Sequence, residues 1–229
     1  MLKGQTSIVG KYQNILCPFV NLYITQGSGY ADGTFSHKGL RAIDVRGAKV
    51  GEREAYYAPV DCICIQTIPS YGEAIWQSKE KVRFADGTID YVTFLTCHDN
   101  TFNAKVGLEL KQGIQLGNMG NKPEDVCTGV HCHIEFAKGK ASYVKNEYGN
   151  WGLTNAVEFE DACYMDDTNI LKGYADWKYL TDIPADEDYE KLYNDALQTI
   201  EILQEQVNIL EEENQLLQEK INKAIEDLK

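Results

Sequence analysis

The four histidines of this 229-residue chain all stand where metal chemistry could use them. His131 and His133 form an HxH pair in a predicted strand, residues 130–136, and because side chains alternate along a strand both imidazoles leave the same face. Two imidazoles placed in this way can bind one ion, or one can bind while its neighbour acts on bound water. The pair taken alone is equally compatible with ordinary surface or core histidines.

The other two histidines lie in two further segments. Asp44 follows His37 and is flanked by Ile43 and Val45, whose side chains point to the other face of a predicted strand, so that the carboxylate faces away from the core. His98 ends an apolar strand beside a loop, a common position for functional residues. Each of these features alone also fits a purely structural or surface role.

The combination of these residues is more specific than any one of them. A catalytic zinc ion takes three protein ligands of nitrogen or oxygen type and keeps one position open for water. A histidine, an aspartate and an HxH pair on separate predicted strands can supply such a set, with a further histidine available. The sequence therefore predicts a zinc site.

The elements that position these residues are predicted to be short strands. The segment 62–66 is apolar and β-branched, and Asp86-Gly87 predicts the turn of a hairpin between residues 81–84 and 89–95. Glycines punctuate the stretch 107–120 and exclude long helices there. We expect an all-β catalytic domain over residues 1–180, of which 137–180 form an irregular extension, and a linker over residues 181–188.

The tail, residues 189–229, has the pattern of an α-helical coiled coil. Over four heptads the a and d positions are occupied by Ile200, Leu203, Val207, Leu210, Asn214, Leu217, Ile221, Ala224 and Leu228. β-Branched residues at a, leucine at d and one asparagine at a favour a parallel dimer. We predict a homodimer through this segment; a different chain's helix as partner, or a helix packed on its own domain, are the alternatives.

Composition excludes several classes of function. The net charge is −13 and no basic patch is present, which argues against a nucleic-acid partner. No apolar run approaches the roughly 20 residues that span a bilayer, so no membrane partner is expected. The N-terminal residues show no secretory signal, and the odd number of cysteines, seven, argues against a disulfide framework and for synthesis in a reducing cytosol.

The order of these motifs resembles that of the lysostaphin/LytM-type zinc endopeptidases. The matching pieces are HKGLRAIDV, YVTFLTCHD, LKQGIQLGNMGN and TGVHCHIEF, and the resemblance covers roughly residues 20–140. It implies an antiparallel sheet that forms a groove and a peptide of bacterial peptidoglycan as substrate. It also implies that His37, Asp44 and His133 bind Zn²⁺ and that His98 and His131 are the catalytic pair.

Three points stay open beside this resemblance. His37 and Asp44 are separated by more residues than in the family's usual motif, which makes Asp32 the alternative ligand. Glu135 follows His133 by two positions and faces the same side, where it either orients an imidazole or is a solvated strand carboxylate. The division of roles within the catalytic pair is not specified.

The resemblance and the absent signal together predict a phage-encoded wall hydrolase. Such an enzyme would accumulate in the cytoplasm of the host bacterium until lysis, or it would be carried on the virion. Two rival interpretations are a non-catalytic LytM-like module that binds or activates a partner and a structural phage tail protein assembled by its coiled coil.

Overall fold

The computed structural model describes residues 1–29 and 35–172, together with Val207 and Asn214. The chain divides into two compact units, Met1–Ile183 and Pro184–Lys229. Among the described residues no helix has the length and apolar character needed to cross a bilayer.

The first unit is built on one large sheet that is antiparallel except at one edge. Its strands are β3 (Asn21–Gln26), β4 (Ala42–Arg46), β6 (Cys62–Ile68), β7 (Glu73–Ser78), β10 (Val92–Cys97), β11 (Glu109–Leu110), β13 (Cys132–Lys138), β16 (Ala156–Val157) and β17 (Ile170–Lys172). The order across the sheet is β11-β6-β7-β10-β13-β4-β3-β17, with β16 also paired to β13, and β17 runs parallel to β3. The predicted antiparallel β class is therefore what the described part of the chain shows.

Smaller elements surround this sheet. They are the strands β1 (Ile8–Val9), β2 (Tyr12–Gln13), β5 (Ala55–Tyr57), β8 (Val82–Arg83), β9 (Ile89–Asp90), β12 (Gln115–Asn118), β14 (Tyr143–Lys145) and β15 (Trp151–Leu153), the helix α1 (Phe159–Ala162), and two 3-10 turns, Phe35–His37 and Pro69–Tyr71. The predicted hairpin is confirmed, since β8 pairs with β9 and Gly87 takes a positive φ of 88° in the turn. Asp86 accepts a hydrogen bond from the backbone N–H of Thr88 and so helps to close the turn.

The two faces of the central strands have different roles. One face carries the aromatic core, in which Phe94 stacks between Trp76 and Phe136. Because side chains alternate along a strand, the residues next to these aromatics point to the opposite face. There Leu95 and Ile75 pack with Leu153 beneath β14 and β15, which pair as a small two-stranded sheet. This second sheet layer covers part of the face, and an open groove lies beside it.

The predicted coiled coil, residues 189–229, lies outside the described residues except at two of its a positions. Val207 and Asn214 are both helical and both exposed. The predicted linker, 181–188, lies entirely outside the described residues. The pairing of two tails therefore stays a prediction.

Candidate metal centre

The histidines converge on an open groove with a volume of about 670 Å³. β4, β10 and β13 form its floor, and the register of these strands places Asp44 opposite His133, and His133 opposite Cys97. Trp151 and Tyr143, from the covering layer, line one side of the groove, and Val126 lines it from the loop before β13. The described residues that line it include no lysine and no arginine.

The three predicted ligands, His37, Asp44 and His133, form a nearly equilateral triangle of atoms. Asp44 Oδ1 lies 3.0 Å from His133 Nδ1 and 3.2 Å from His37 Nε2, and the two nitrogen atoms lie 3.1 Å apart. In a tetrahedral zinc site with bonds of about 2.0–2.2 Å, neighbouring ligand atoms are about 3.3–3.6 Å apart. The triangle is therefore slightly smaller than a zinc ion requires, and a small outward movement of the side chains would fit one.

In the imidazoles of His37 and His133, the hydrogen bond of the nitrogen that faces away from Asp44 determines whether the nitrogen that faces Asp44 has a free lone pair. His37 Nδ1 lies 2.8 Å from the carbonyl oxygen of Gly27, which can only accept, so this nitrogen carries the proton. His133 Nε2 lies 3.3 Å from Glu135 Oε1, a carboxylate oxygen that accepts, so this nitrogen also carries a proton. In the neutral rings the lone pairs of His37 Nε2 and His133 Nδ1 then face the Asp44 carboxylate. Three electron-rich atoms directed at one point fit a cation, and such outer partners are typical of metal-binding histidines.

The charge balance of the group also favours a cation at its centre. Burial alone would lower the pKa of His133, but hydrogen bonds and charge from Asp44 and Glu135 outweigh it and raise that pKa to about 10. Burial alone would raise the pKa of Asp44, but hydrogen bonds from His133 and His37 lower it below its ordinary value. The two carboxylates thus stabilise positive charge here, whether a proton or a metal ion carries it.

Glu135 is a buried partner of the metal group rather than a solvated strand carboxylate. It is 1% exposed. Its Oε2 accepts a hydrogen bond from the backbone N–H of Leu153 at 2.8 Å, while its Oε1 faces His133. The covering strand β15 therefore fixes the carboxylate, and the carboxylate fixes the ring.

His98 and His131 lie on the open side of this group. Their ring centroids are 4.5 Å apart, and His131 Nε2 is 3.7 Å from Asp44 Oδ2. His98 Nδ1 donates to the carbonyl oxygen of Lys122 at 2.7 Å, and His131 Nδ1 donates to that of Gly129 at 2.8 Å. In both neutral rings Nε2 is left with the lone pair. Burial and the charges of His133 and His131 lower the pKa of His98 to about 4.

The backbone around this pair is closely packed. His98 follows β10 with a φ of 80°, a left-handed conformation that costs a residue with a side chain of order 1–3 kcal/mol. Gly120 exchanges two backbone hydrogen bonds with His131, at 2.9 and 2.8 Å. A Cβ at Gly120 would lie 2.0 Å from the carbonyl oxygen of His98, so glycine is required there. The segment that contains Gly120 thus holds both histidines in place.

The structure brings all five predicted site residues together. Asp32, the alternative ligand, lies outside the described residues. Among the groove residues without a predicted role are Cys127, whose Sγ lies 3.1 Å from His98 Nδ1, and Glu73, whose carboxylate contacts the Cys97 thiol at 3.7 Å. In the sequence, a role for Cys127 in the groove was indicated only by its position four residues before His131.

The residues present fit a zinc ion. The set His37, Asp44 and His133 offers two nitrogens and one oxygen, the donor types of catalytic zinc sites with an open fourth position. A second group of metal-ligating side chains, His98, Cys127 and His131, lies beside it.

Comparison with known proteins gives a phage relative and a distant structural neighbour. No protein-family model matches the chain. Over 149 residues, 65% of this chain, the sequence is 36% identical to Morphogenesis protein 1 of Bacillus phage B103. The match covers 36% of that protein, so the chain spans about a third of its relative's length.

Among solved structures, the chain is similar to one titled "A Novel M23 Metalloprotease Pseudoalterin from Deep-sea". The alignment has a TM-score of 0.40 and 15% sequence identity, and it covers 74% of this chain and 86% of that one.

Proposed function

We propose that this chain is a zinc-dependent endopeptidase that hydrolyses peptide bonds in bacterial peptidoglycan. The observation that carries the proposal is the triangle formed by His37, Asp44 and His133, with the His98–His131 pair beside it on the floor of an open groove. A metal ion in this triangle would polarise the scissile carbonyl group and supply hydroxide near neutral pH.

The chain's own residues would perform the remaining steps. His98 is neutral near pH 7 because its pKa is lowered to about 4, and its free Nε2 can accept a proton from the attacking water. Once protonated, the same atom can return that proton to the departing amine. The His131 ring lies 4.5 Å from that of His98 between centroids, and its Nε2 lies 3.7 Å from Asp44 Oδ2; once this nitrogen carries a proton, it would donate to the oxygen on which negative charge develops.

The shape of the groove supports an extended peptide as substrate. It is open to solvent and about 670 Å³ in volume. The exposed Trp151 on one side offers an apolar surface to such a peptide. The absence of lysine and arginine from the described lining does not favour an anionic substrate.

The phage relative supports a location on the virion. That protein is named as a morphogenesis protein, and this chain matches about a third of it. We therefore propose a phage-encoded wall peptidase that is carried on the virion, in preference to one that stays in the host cytoplasm until lysis.

The name of the phage relative, Morphogenesis protein 1, favours a second candidate function. The chain would then be a structural protein of virion assembly in which the groove has no catalytic function. Digestion of purified cell walls separates the two. The peptidase should solubilise walls, lose this activity with a chelator and regain it with zinc. Asp44→Asn should be inactive, whereas Asp86→Asn, which alters a carboxylate bound to Lys138 away from the groove, should remain active. Walls left intact by the zinc-loaded protein would refute the peptidase.

A further inference from the structure

A second set of potential metal ligands lies beside the triangle and includes a thiol. One ligand atom from each of His98, Cys127 and His131 lies within 4.8 Å of the other two. Cys127 Sγ lies 3.1 Å from His98 Nδ1, which donates to Lys122, and 3.9 Å from Nε2, which is free, so a rotation of the Cys127 side chain is needed to bring the sulfur in front of Nε2. In a tetrahedral zinc site with Zn–S of about 2.3 Å and Zn–N of about 2.0–2.1 Å, sulfur and nitrogen are about 3.5–3.6 Å apart.

The Asp44 carboxylate connects this set to the first. Its Oδ1 belongs to the triangle with His37 and His133, while its Oδ2 lies 3.7 Å from His131 Nε2. A carboxylate whose two oxygens face two groups of ligands can bridge two metal ions, which in two-metal sites are about 3.5–4 Å apart. The second set thus has four potential donors: two imidazole nitrogens, one thiolate and one carboxylate oxygen.

We propose that His98, Cys127 and His131, with Asp44 Oδ2, form a second zinc site of lower affinity than the triangle. When zinc binds, a Zn–S bond forms and the thiol proton of Cys127 passes to solvent, because only the thiolate is a ligand. The affinity is lower because the outer nitrogens of these rings are held by backbone carbonyl groups, whereas a buried carboxylate, Glu135, orients His133 in the triangle.

Occupation of the second site would stop the reaction proposed above. The ligand atoms of His98 and His131 are the same Nε2 atoms that must exchange protons with water and substrate. Excess zinc is therefore an inhibitor, and Cys127 sets the concentration at which it acts. This inhibitory role rests on the proposed peptidase function, whereas the binding of the second ion does not.

Cobalt titration of the full-length, metal-free protein tests the site without any assay of activity. Thiolate bound to Co²⁺ gives a charge-transfer absorption band in the near ultraviolet, which ligation by nitrogen and oxygen alone does not give. We expect no such band with the first equivalent, a band with the second, and loss of this band in Cys127→Ser. Cys97→Ser should retain it, since Cys97 is the other thiol near His98, with Sγ 3.5 Å from Nδ1. A band that is absent at all cobalt concentrations, or unchanged in Cys127→Ser, would overturn the site.

Wall digestion at increasing zinc concentration tests the inhibition. Cys127→Ser should need at least about tenfold more zinc for half-inhibition, because one ligand of the inhibitory ion is lost. Equal inhibition of both proteins would overturn the inhibitory role. A protein that shows the cobalt band but digests no wall at any zinc concentration would leave the second site standing and refute the peptidase, so the two failures are distinguishable.

Discussion

The imidazole of His133 lies between the buried carboxylates of Asp44 and Glu135, whereas that of His98 is anchored through a backbone carbonyl group and lies beside a thiol. The pKa values reflect this difference. Asp44 and Glu135 raise the pKa of His133 to about 10, while burial and neighbouring positive charge lower that of His98 to about 4. The two rings lie only 6.1 Å apart between centroids.

This contrast shows how one residue type can take two roles within a single groove. A ring held by anions attracts and keeps a cation. His98, which is held by a backbone carbonyl group, stays neutral near pH 7 and is able to accept a proton. The following changes should separate the two regions, beginning with the largest expected effect.

His133→Ala should abolish both metal binding and activity, because it removes one ligand and frees Glu135 from its partner. Elemental analysis of the dialysed protein should find about one zinc per chain in the wild type and little in the variant. Asp86→Asn serves as the control and should keep its zinc. Full zinc content in His133→Ala would show that the triangle is not the metal site.

His98→Ala and His131→Ala should keep the dialysis-resistant zinc but lose activity. The expected loss is roughly 10²–10⁴-fold, as is typical of removing a general acid or base. Zinc content and wall digestion are measured on the same preparation. If His98→Ala stays within a few-fold of the wild type, the proposed division between ligands and catalytic pair fails.

Glu135→Gln should weaken zinc binding by about 10–100-fold, the effect typical of losing an outer partner of a metal-bound histidine. Competition with a chromogenic chelator measures this affinity. Glu109→Gln is a matched control, since Glu109 lies on the edge strand β11 and pairs with Lys79. Equal affinities for all three proteins would mean that Glu135 does not support the site.

Glu73→Gln should have the smallest effect, on stability alone in the zinc-free protein. Unlike Asp44 and Glu135, Glu73 has a buried oxygen, Oε1, with no hydrogen-bond partner among the described residues, and burial raises its pKa above the ordinary 4.5. Because the pKa of Glu73 is raised in the folded state, its contribution to the free energy of unfolding is fully present below pH 4.5. This contribution is lost as the pH rises through the folded-state pKa. The variant should therefore melt a few degrees higher than wild type at pH 7.

At pH 4 the two melting temperatures should converge, because the wild-type carboxyl is then largely neutral in both states. Thermal melting followed by circular dichroism at both pH values gives the comparison. A variant less stable than wild type at pH 7 would show that the ionised carboxylate is favourably paired.

Local sequence patterns were sufficient for the elements that carry the site. The alternation around Asp44 and the HxH pair predict strand positions because they depend on neighbouring residues alone, as the Asp-Gly turn does away from the site. The convergence of His37, Asp44 and His133 followed from motif order through the resemblance, not from those patterns.

The rest depended on contacts between segments distant in the sequence. Glu135 is buried because β15 covers it, and nothing near position 135 encodes that cover. The Gly27 carbonyl that fixes the His37 tautomer and the approach of Cys127 to His98 likewise arise only when separate loops meet.

The bond that is broken tests the central claim most directly. Purified cell walls, incubated with the zinc-loaded protein, should release new amino termini in step with solubilisation and no new reducing sugar ends, and a chelator should stop the release. Solubilisation without new amino termini, or release that continues unchanged in the chelator, would contradict a metal-dependent endopeptidase.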